Sequence, residues 1–268
     1  MYYTNAPLVE VIAEVRWQTD HGDRLQQTKP GTALTVTPDL VSAAEEYFAN
    51  FSKQADGLGF RRSERLSAPG NPGFPGQAAV RFRKELNTSP IFQIGVGLFT
   101  ANGLPPDYQG WTSFAPVLRE GVGALVRSRI EAEKDRQFAI VSLRYIDAFS
   151  NSFWGDKPAS RFISDVLGFA VTLPKAVSQY VDPAGPASTA FQTQLPMKDG
   201  RILRLSVGEG ALPNGASVVL DSLLLDEAVE STEEAVMTSF EAMHEYQAES
   251  FAAMAQRLGP LLVPGDKK

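Results

Sequence analysis

The stretch FAIVSLRYIDAF, residues 138–149, decides how this chain is read. It has the character of a long strand near the middle of the sequence. Its core, Val141-Ser142-Leu143-Arg144-Tyr145, echoes the earlier Ala13-Glu14-Val15-Arg16-Trp17. In both, an aliphatic residue, an Arg and an aromatic residue follow in order. The echo predicts that each strand opens one half of a duplicated fold.

The first of these strands, Leu8 to Trp17, alternates cleanly. Val9, Val11, Ala13, Val15 and Trp17 share one face; Glu10, Ile12, Glu14 and Arg16 share the other. Period-two alternation places one face of a strand against a core. Residues 18–36 read as a long polar loop. Thr37-Pro38 then opens a helix, with Leu40, Ala44, Tyr47, Phe48 and Phe51 at helical spacing. Strands are expected over Phe60–Leu66, Ala78–Glu85 and Ile91–Asn102. In the last of these, Gly95 and Gly97 mark a face where something approaches the backbone closely. A helix from Gly110 to Ile130 carries Trp111, Phe114, Leu118, Val122 and Leu125 on one stripe, and Pro116 predicts a kink or a later start.

After residues 138–149 the order repeats. A short helix begins at Pro158 and stops near Gly168, and an irregular connection follows. Strands are expected over Thr189–Pro196, Ile202–Val207 and Ser217–Leu225, with Asp199-Gly200 as the turn between the first two. A long helix from Thr232 to Leu258 has Ser231 and Glu234 at capping-box spacing. The fold class read from this order is α+β: two βαβββα halves, residues 1–132 and 133–268, packed as one unit, with antiparallel sheets covered by long helices.

Composition narrows the function. The 268 residues carry a net charge of -6 and no Cys. An acidic balance disfavours nucleic-acid binding, which depends on Lys and Arg neutralising phosphate. Without Cys there is neither a disulfide nor a thiolate metal site. No apolar run reaches the roughly 18 residues needed to span a bilayer, and MYYTNAPLVE lacks the features of a signal peptide. The expectation is a cytoplasmic protein without a membrane partner.

The motifs NAPLVEVIAEVRW, FQIGVGLFTAN, YQGWTSF and LRYIDAF together resemble an uncharacterised, sporadically distributed bacterial family of about this length. The resemblance covers roughly the first 150 residues and the long last helix. Trp17, Tyr108, Trp111 and Phe114 belong to its structural pattern. At Asp147 the chain departs from it, since members of that family often have Asn there. The resemblance implies an accessory gene of the kind found near mobile-element, toxin–antitoxin or phage-defence functions, and no transferable activity.

Site chemistry is sparse. His21, within Thr19-Asp20-His21-Gly22-Asp23, reads as a solvated turn, and His244, beside Glu241 and Glu245, reads as a polar helix face. No G-x-S-x-G elbow or phosphate-binding glycine loop is present. No metal or cofactor is expected, and an enzyme is disfavoured. The charges within apolar strands stand out: Glu10, Glu14, Arg16 and Arg144. If the strands at Leu8–Trp17 and Phe138–Phe149 lie side by side, these acids could pair the arginines across the seam, as partly buried charge requires. With Tyr145 and Asp147 they are the candidate ligand- or partner-binding residues. The leading expectation is a non-catalytic binding or regulatory protein acting through a protein partner. The alternative is a protein, or an enzyme, for a small anionic ligand or nucleotide held by Arg16 or Arg144. Trp111 and Phe114 are expected in the core.

Overall fold

The computed structural model describes residues 5–19, 38–68, 71–170, 172–182, 188–212, 215–259 and 261–263. Its strands are β1 (Leu8–Arg16), β2 (Arg62–Arg65), β3 (Val80–Arg83), β4 (Ile91–Gly95), β5 (Leu98–Gly103), β6 (Phe138–Ser150), β7 (Ala190–Pro196), β8 (Ile202–Leu212) and β9 (Gly215–Val229). They form one nine-stranded sheet in the order β2-β3-β4-β5-β1-β6-β9-β8-β7. Every neighbouring pair is antiparallel. Three long helices accompany it: α1 (Pro38–Gly57), α2 (Trp111–Ser128) and α3 (Glu233–Leu258). The fold is α+β with a large antiparallel sheet.

The two echoing strands lie side by side at the middle of that sheet, with Glu14 opposite Ser142, Arg16 opposite Ile140 and Ile12 opposite Arg144. Val11, Ala13 and Val15 on β1, with Val141 and Leu143 on β6, are fully buried. They join Phe51, Phe99, Leu118, Leu125, Phe240 and others from all three helices in one hydrophobic core. A second, smaller core gathers Phe149, Phe153, Phe162, Ile163 and Leu220. Burying such side chains stabilises each by about 1.5–3 kcal/mol, so the alternation in β1 and β6 fixes which of their residues enter that core.

The structure departs from the sequence reading at several points. A bulge between Leu8 and Glu10 turns Val9 outward, 37% exposed, instead of into the core. The run expected as one strand over Ile91–Asn102 is a hairpin, with Gly95 opposite Leu98 and Val96-Gly97 as its turn. Gly97 has φ 67, a left-handed conformation that glycine adopts without the strain of a Cβ. β8 and β9 run longer than expected, to Leu212 and Val229. The helix at residue 111 starts there, with Pro116 inside it. The cap of α3 is Thr232, whose side chain accepts a hydrogen bond from the Ala235 amide at 3.2 Å, while Ser231 donates to the Lys134 carbonyl. The expected turn at Asp199-Gly200 is present, with Gly200 at φ 89. Thr37, His21 and most of the 18–36 loop lie outside the described residues.

The close approach expected at Gly95 is made by the chain itself. A Cβ there would sit 1.8 Å from the Gln77 carbonyl oxygen. Backbone cannot swing aside as a flexible side chain can. Gly95→Ala is therefore expected to lose roughly 3 kcal/mol or more in urea unfolding, at the upper end of overpacking effects. A loss below about 0.5 kcal/mol, the size of a neutral surface change, would contradict the packing of Gln77 and Ala78 on β4.

Candidate functional site

β6 presents different chemistry on its two faces. On one face Arg144 donates Nε and Nη2 to Asp221 of β9 at 2.7 and 2.5 Å. On the same face Arg16 donates to Glu14, its neighbour along β1, at 2.6 and 3.1 Å. Glu10 accepts from Asn102 at 2.7 Å. The strands are adjacent, as the echo predicts, and Arg16 does reach Glu14. The acids of β1 do not pair with Arg144 across the seam. A carboxylate that the sequence reading passed over, Asp221, holds that arginine. Both arginine side chains keep about two-fifths of their surface exposed, so each pair contributes at most about 1 kcal/mol.

On the other face, Tyr145 and Asp147 open into a cavity of about 760 Å³. Its polar and aromatic groups come from several elements. β6 supplies Tyr145 and Asp147; the chain between β5 and α2 supplies Tyr108; Trp111 is the first residue of α2; α3 contributes His244 and Gln247; β9 contributes Ser222. Leu167, Phe169, Leu205, Leu220 and Met254 make the rest of the wall mostly apolar. The cavity is lined by members of both hydrophobic cores, Leu203 from the larger and Leu167 and Leu220 from the smaller.

The polar groups within it are ordered by hydrogen bonds and stacking. The Tyr145 hydroxyl lies 2.9 Å from His244 Nδ1, with donor and acceptor roles set by the histidine tautomer. The His244 ring stacks on Trp111, centroids 4.4 Å apart and planes 11° from parallel. Tyr108 lies beside Tyr145 in the same wall and packs edge-on against Phe114, centroids 5.6 Å apart. Ser222 and Gln247 satisfy each other: Ser222 Oγ donates to Gln247 Oε1 at 2.8 Å, and Gln247 Nε2 donates to the Ser222 carbonyl at 3.2 Å.

Asp147 is different. It is 7% exposed and has no hydrogen-bond or ion-pair partner among the described residues. Burial raises its pKa from 3.8 to about 7, because a carboxylate taken from water without a partner is costly. Burial also raises Tyr145 and Tyr108 above the usual phenol range and lowers His244, the last partly opposed by Glu245. At neutral pH the cavity thus holds neutral phenols, a neutral imidazole and a carboxyl poised between its two forms. Perturbed groups in a cleft mark a candidate functional site.

The sequence reading had named Tyr145 and Asp147 as binding candidates, and the structure brings them together in this cavity. Arg16, Arg144, Glu10 and Glu14 lie on the opposite face of the sheet. Trp111 forms part of the cavity wall and is only partly buried, whereas Phe114 is buried in the core, 4% exposed. Trp17 is core as well, its Nε1 donating to Glu133 at 2.8 Å. His244 was read as part of a polar helix face and instead is half-buried against Trp111. Among the described residues no group of His, Cys, Asp and Glu side chains could hold a metal ion, and no helix is long and apolar enough to cross a membrane. Comparison with protein-family models, curated proteins and solved structures found no match.

The poised carboxyl has a measurable consequence for stability. Asp147 binds its proton up to about pH 7 when folded and only up to about 3.8 when unfolded. Between those values the folded state holds the extra proton, so the group's contribution falls as pH rises from about 4 and levels off above about 7. The span of roughly three pH units corresponds to on the order of 4 kcal/mol. Asp147→Asn, which keeps the shape and removes the charge, is expected to be more stable than wild type at pH 8, with the gap closing toward pH 4. Urea unfolding of both proteins across this range checks it. A wild type more stable than the variant at pH 8 would show Asp147 to be paired.

Proposed function

We propose that the protein is a non-catalytic binding protein whose cavity beneath β6 takes a small, largely apolar molecule with a polar group at the Tyr108–Tyr145–Asp147 end. The observation that carries this reading is the cavity itself: about 760 Å³, mostly apolar, with a few convergent polar groups already positioned by hydrogen bonds and stacking. Volumes of this order suit drug-sized ligands. Arg16 and Arg144 are each engaged by a carboxylate, so the ligand reading rests on the cavity and not on them.

The duplicated architecture belongs to the same reading. One offset along the chain relates Arg16 to Arg144, Glu14 to Ser142 and Ile12 to Ile140. The register pairs Glu14 with Ser142, its own equivalent, and pairs each arginine with the equivalent of the isoleucine opposite the other. A local two-fold axis through Glu14 and Ser142 would impose this pattern. It supports two βαβββα halves, residues 1–132 and 133–268, joined at β1 and β6; outward from that pair β5, β4 and β3 are matched by β9, β8 and β7, and the first half carries β2 in addition.

A second reading, a regulatory protein acting on a protein partner in a mobile-element, toxin–antitoxin or phage-defence setting, is favoured by one observation. Leu173, Val177, Tyr180 and Val181 stand exposed along one short segment, Tyr180 at 84%. Exposed apolar groups of this kind suit contact with another protein. The two readings are compatible if the ligand governs the contact.

Leu205→Trp tests the cavity. The larger side chain would fill space lined by Leu205 on β8, where the residue is only partly buried. In a thermal-shift screen of a small-molecule library, hits are expected to raise the wild-type midpoint, because a ligand that binds only the folded state stabilises it. They are expected to lose that effect on a Leu205→Trp protein that remains folded by circular dichroism. Hits that stabilise both proteins equally, or a library without hits, would contradict the cavity as the ligand site.

A further inference from the structure

Resting on the ligand reading above, we infer that the cavity receives an organic cation, an amine carrying an apolar body, with Asp147 as its counter-ion. Asp147 is more than nine-tenths buried, lines the cavity and has no partner among the described residues. No Lys, Arg or Glu side chain lines the cavity among those residues. The wall therefore offers negative charge at one point and positive charge at none. An anionic ligand would meet Asp147 without a compensating cation, a costly arrangement in an apolar site. A neutral carbonyl ligand would need only a donor, and the Tyr108 and Tyr145 hydroxyls already provide that function. Negative charge is what Asp147 alone supplies. Tyr246, Phe169 and Phe251 add aromatic surface to the same wall, and aromatic rings attract ammonium groups through their π faces.

The titratable groups facing Asp147 do not compete for that role. Tyr145 neighbours it on β6, Tyr108 comes from the chain before α2, and His244 and Tyr246 come from α3. Burial keeps Tyr108 and Tyr145 protonated and His244 neutral around pH 7. β9 and β1 place Leu220 and Leu8 opposite Asp147. Asp147 is thus the group whose ionisation binding would drive, and a cation would enter with release of its proton.

The test is a matched panel: the primary amine, the alcohol and the carboxylate on octyl, phenylethyl and indolylethyl bodies, measured by calorimetry on the full chain. The amine of at least one body is expected to bind ten-fold or more tightly than its alcohol. In Asp147→Asn that preference is expected to vanish. Amine affinity for wild type is expected to strengthen about tenfold from pH 6 to pH 8, as Asp147 loses its proton, and to stay flat in the variant. Alcohols or carboxylates that bind as well as the amines, with binding removed by Leu205→Trp, would overturn the cation and leave the ligand reading standing. A panel in which nothing binds would overturn both.

Discussion

The pairing of β1 with β6 is the constraint on which the structure depends. These strands are distant in sequence, yet each lies inside the sheet and supplies fully buried residues to the core. Their alternation leaves no freedom of register: a slip by one residue would drive Glu14 and Arg144 into the core and bring Val11 and Leu143 out. With that register set, β5 pairs on one side and β9 on the other, and the sheet grows outward from both. Its ends, β2 and β7, are its most exposed strands.

The same constraint places the cavity. Because side chains alternate, β6 sends Arg144 to one face and Tyr145 and Asp147 to the other. The arginine reaches Asp221 and becomes part of a surface network with little to do energetically. Tyr145 and Asp147 extend the core side of β6 between the two hydrophobic clusters, where α2 and α3 meet through Trp111 and His244. The interior is therefore neither filled with aliphatic side chains nor fully satisfied. Ser222 and Gln247 show how this fold treats a buried polar pair that is structural, with each partner bonded to the other. Asp147, without such a partner among the described residues, is a departure from that rule, and its burial is tolerable near neutral pH because the carboxyl can keep its proton.

Much of the scaffold was legible in the sequence because its signals are local. Alternation named β1, helical spacing named the buried faces of α1 and α2, and Asp199-Gly200 named a turn. The Arg–aromatic echo led to the central pair. What the sequence hid was set by contacts between distant elements. The hairpin at Val96-Gly97 looks like one strand because its two arms are both apolar. Asp221 interrupts the apolar run Val218–Leu225 much as Arg144 interrupts β6, and that shared signal could have paired them. His244 could not be found from its helix alone: its neighbours Glu241 and Glu245 are polar, and the groups that hold its ring inward, Trp111 and Tyr145, are about a hundred residues or more away in sequence. Tyr145 and Asp147 stand beside Arg144 in LRYIDAF and are candidates with it, but their separation from Arg144 by a face of the sheet follows from strand geometry and not from composition.

The central claim is that Asp147, unpaired among the described residues, sits in an apolar, aromatic cavity and serves as the charge that a ligand meets. The carboxyl carbon of Asp147, assigned in NMR spectra by comparison with Asp147→Asn, reports its ionisation directly. The account predicts a titration midpoint near 7 in the free protein and a clear fall in that midpoint when a bound amine supplies the missing positive charge. A midpoint in the ordinary carboxylate range near 4 in the free protein would contradict it.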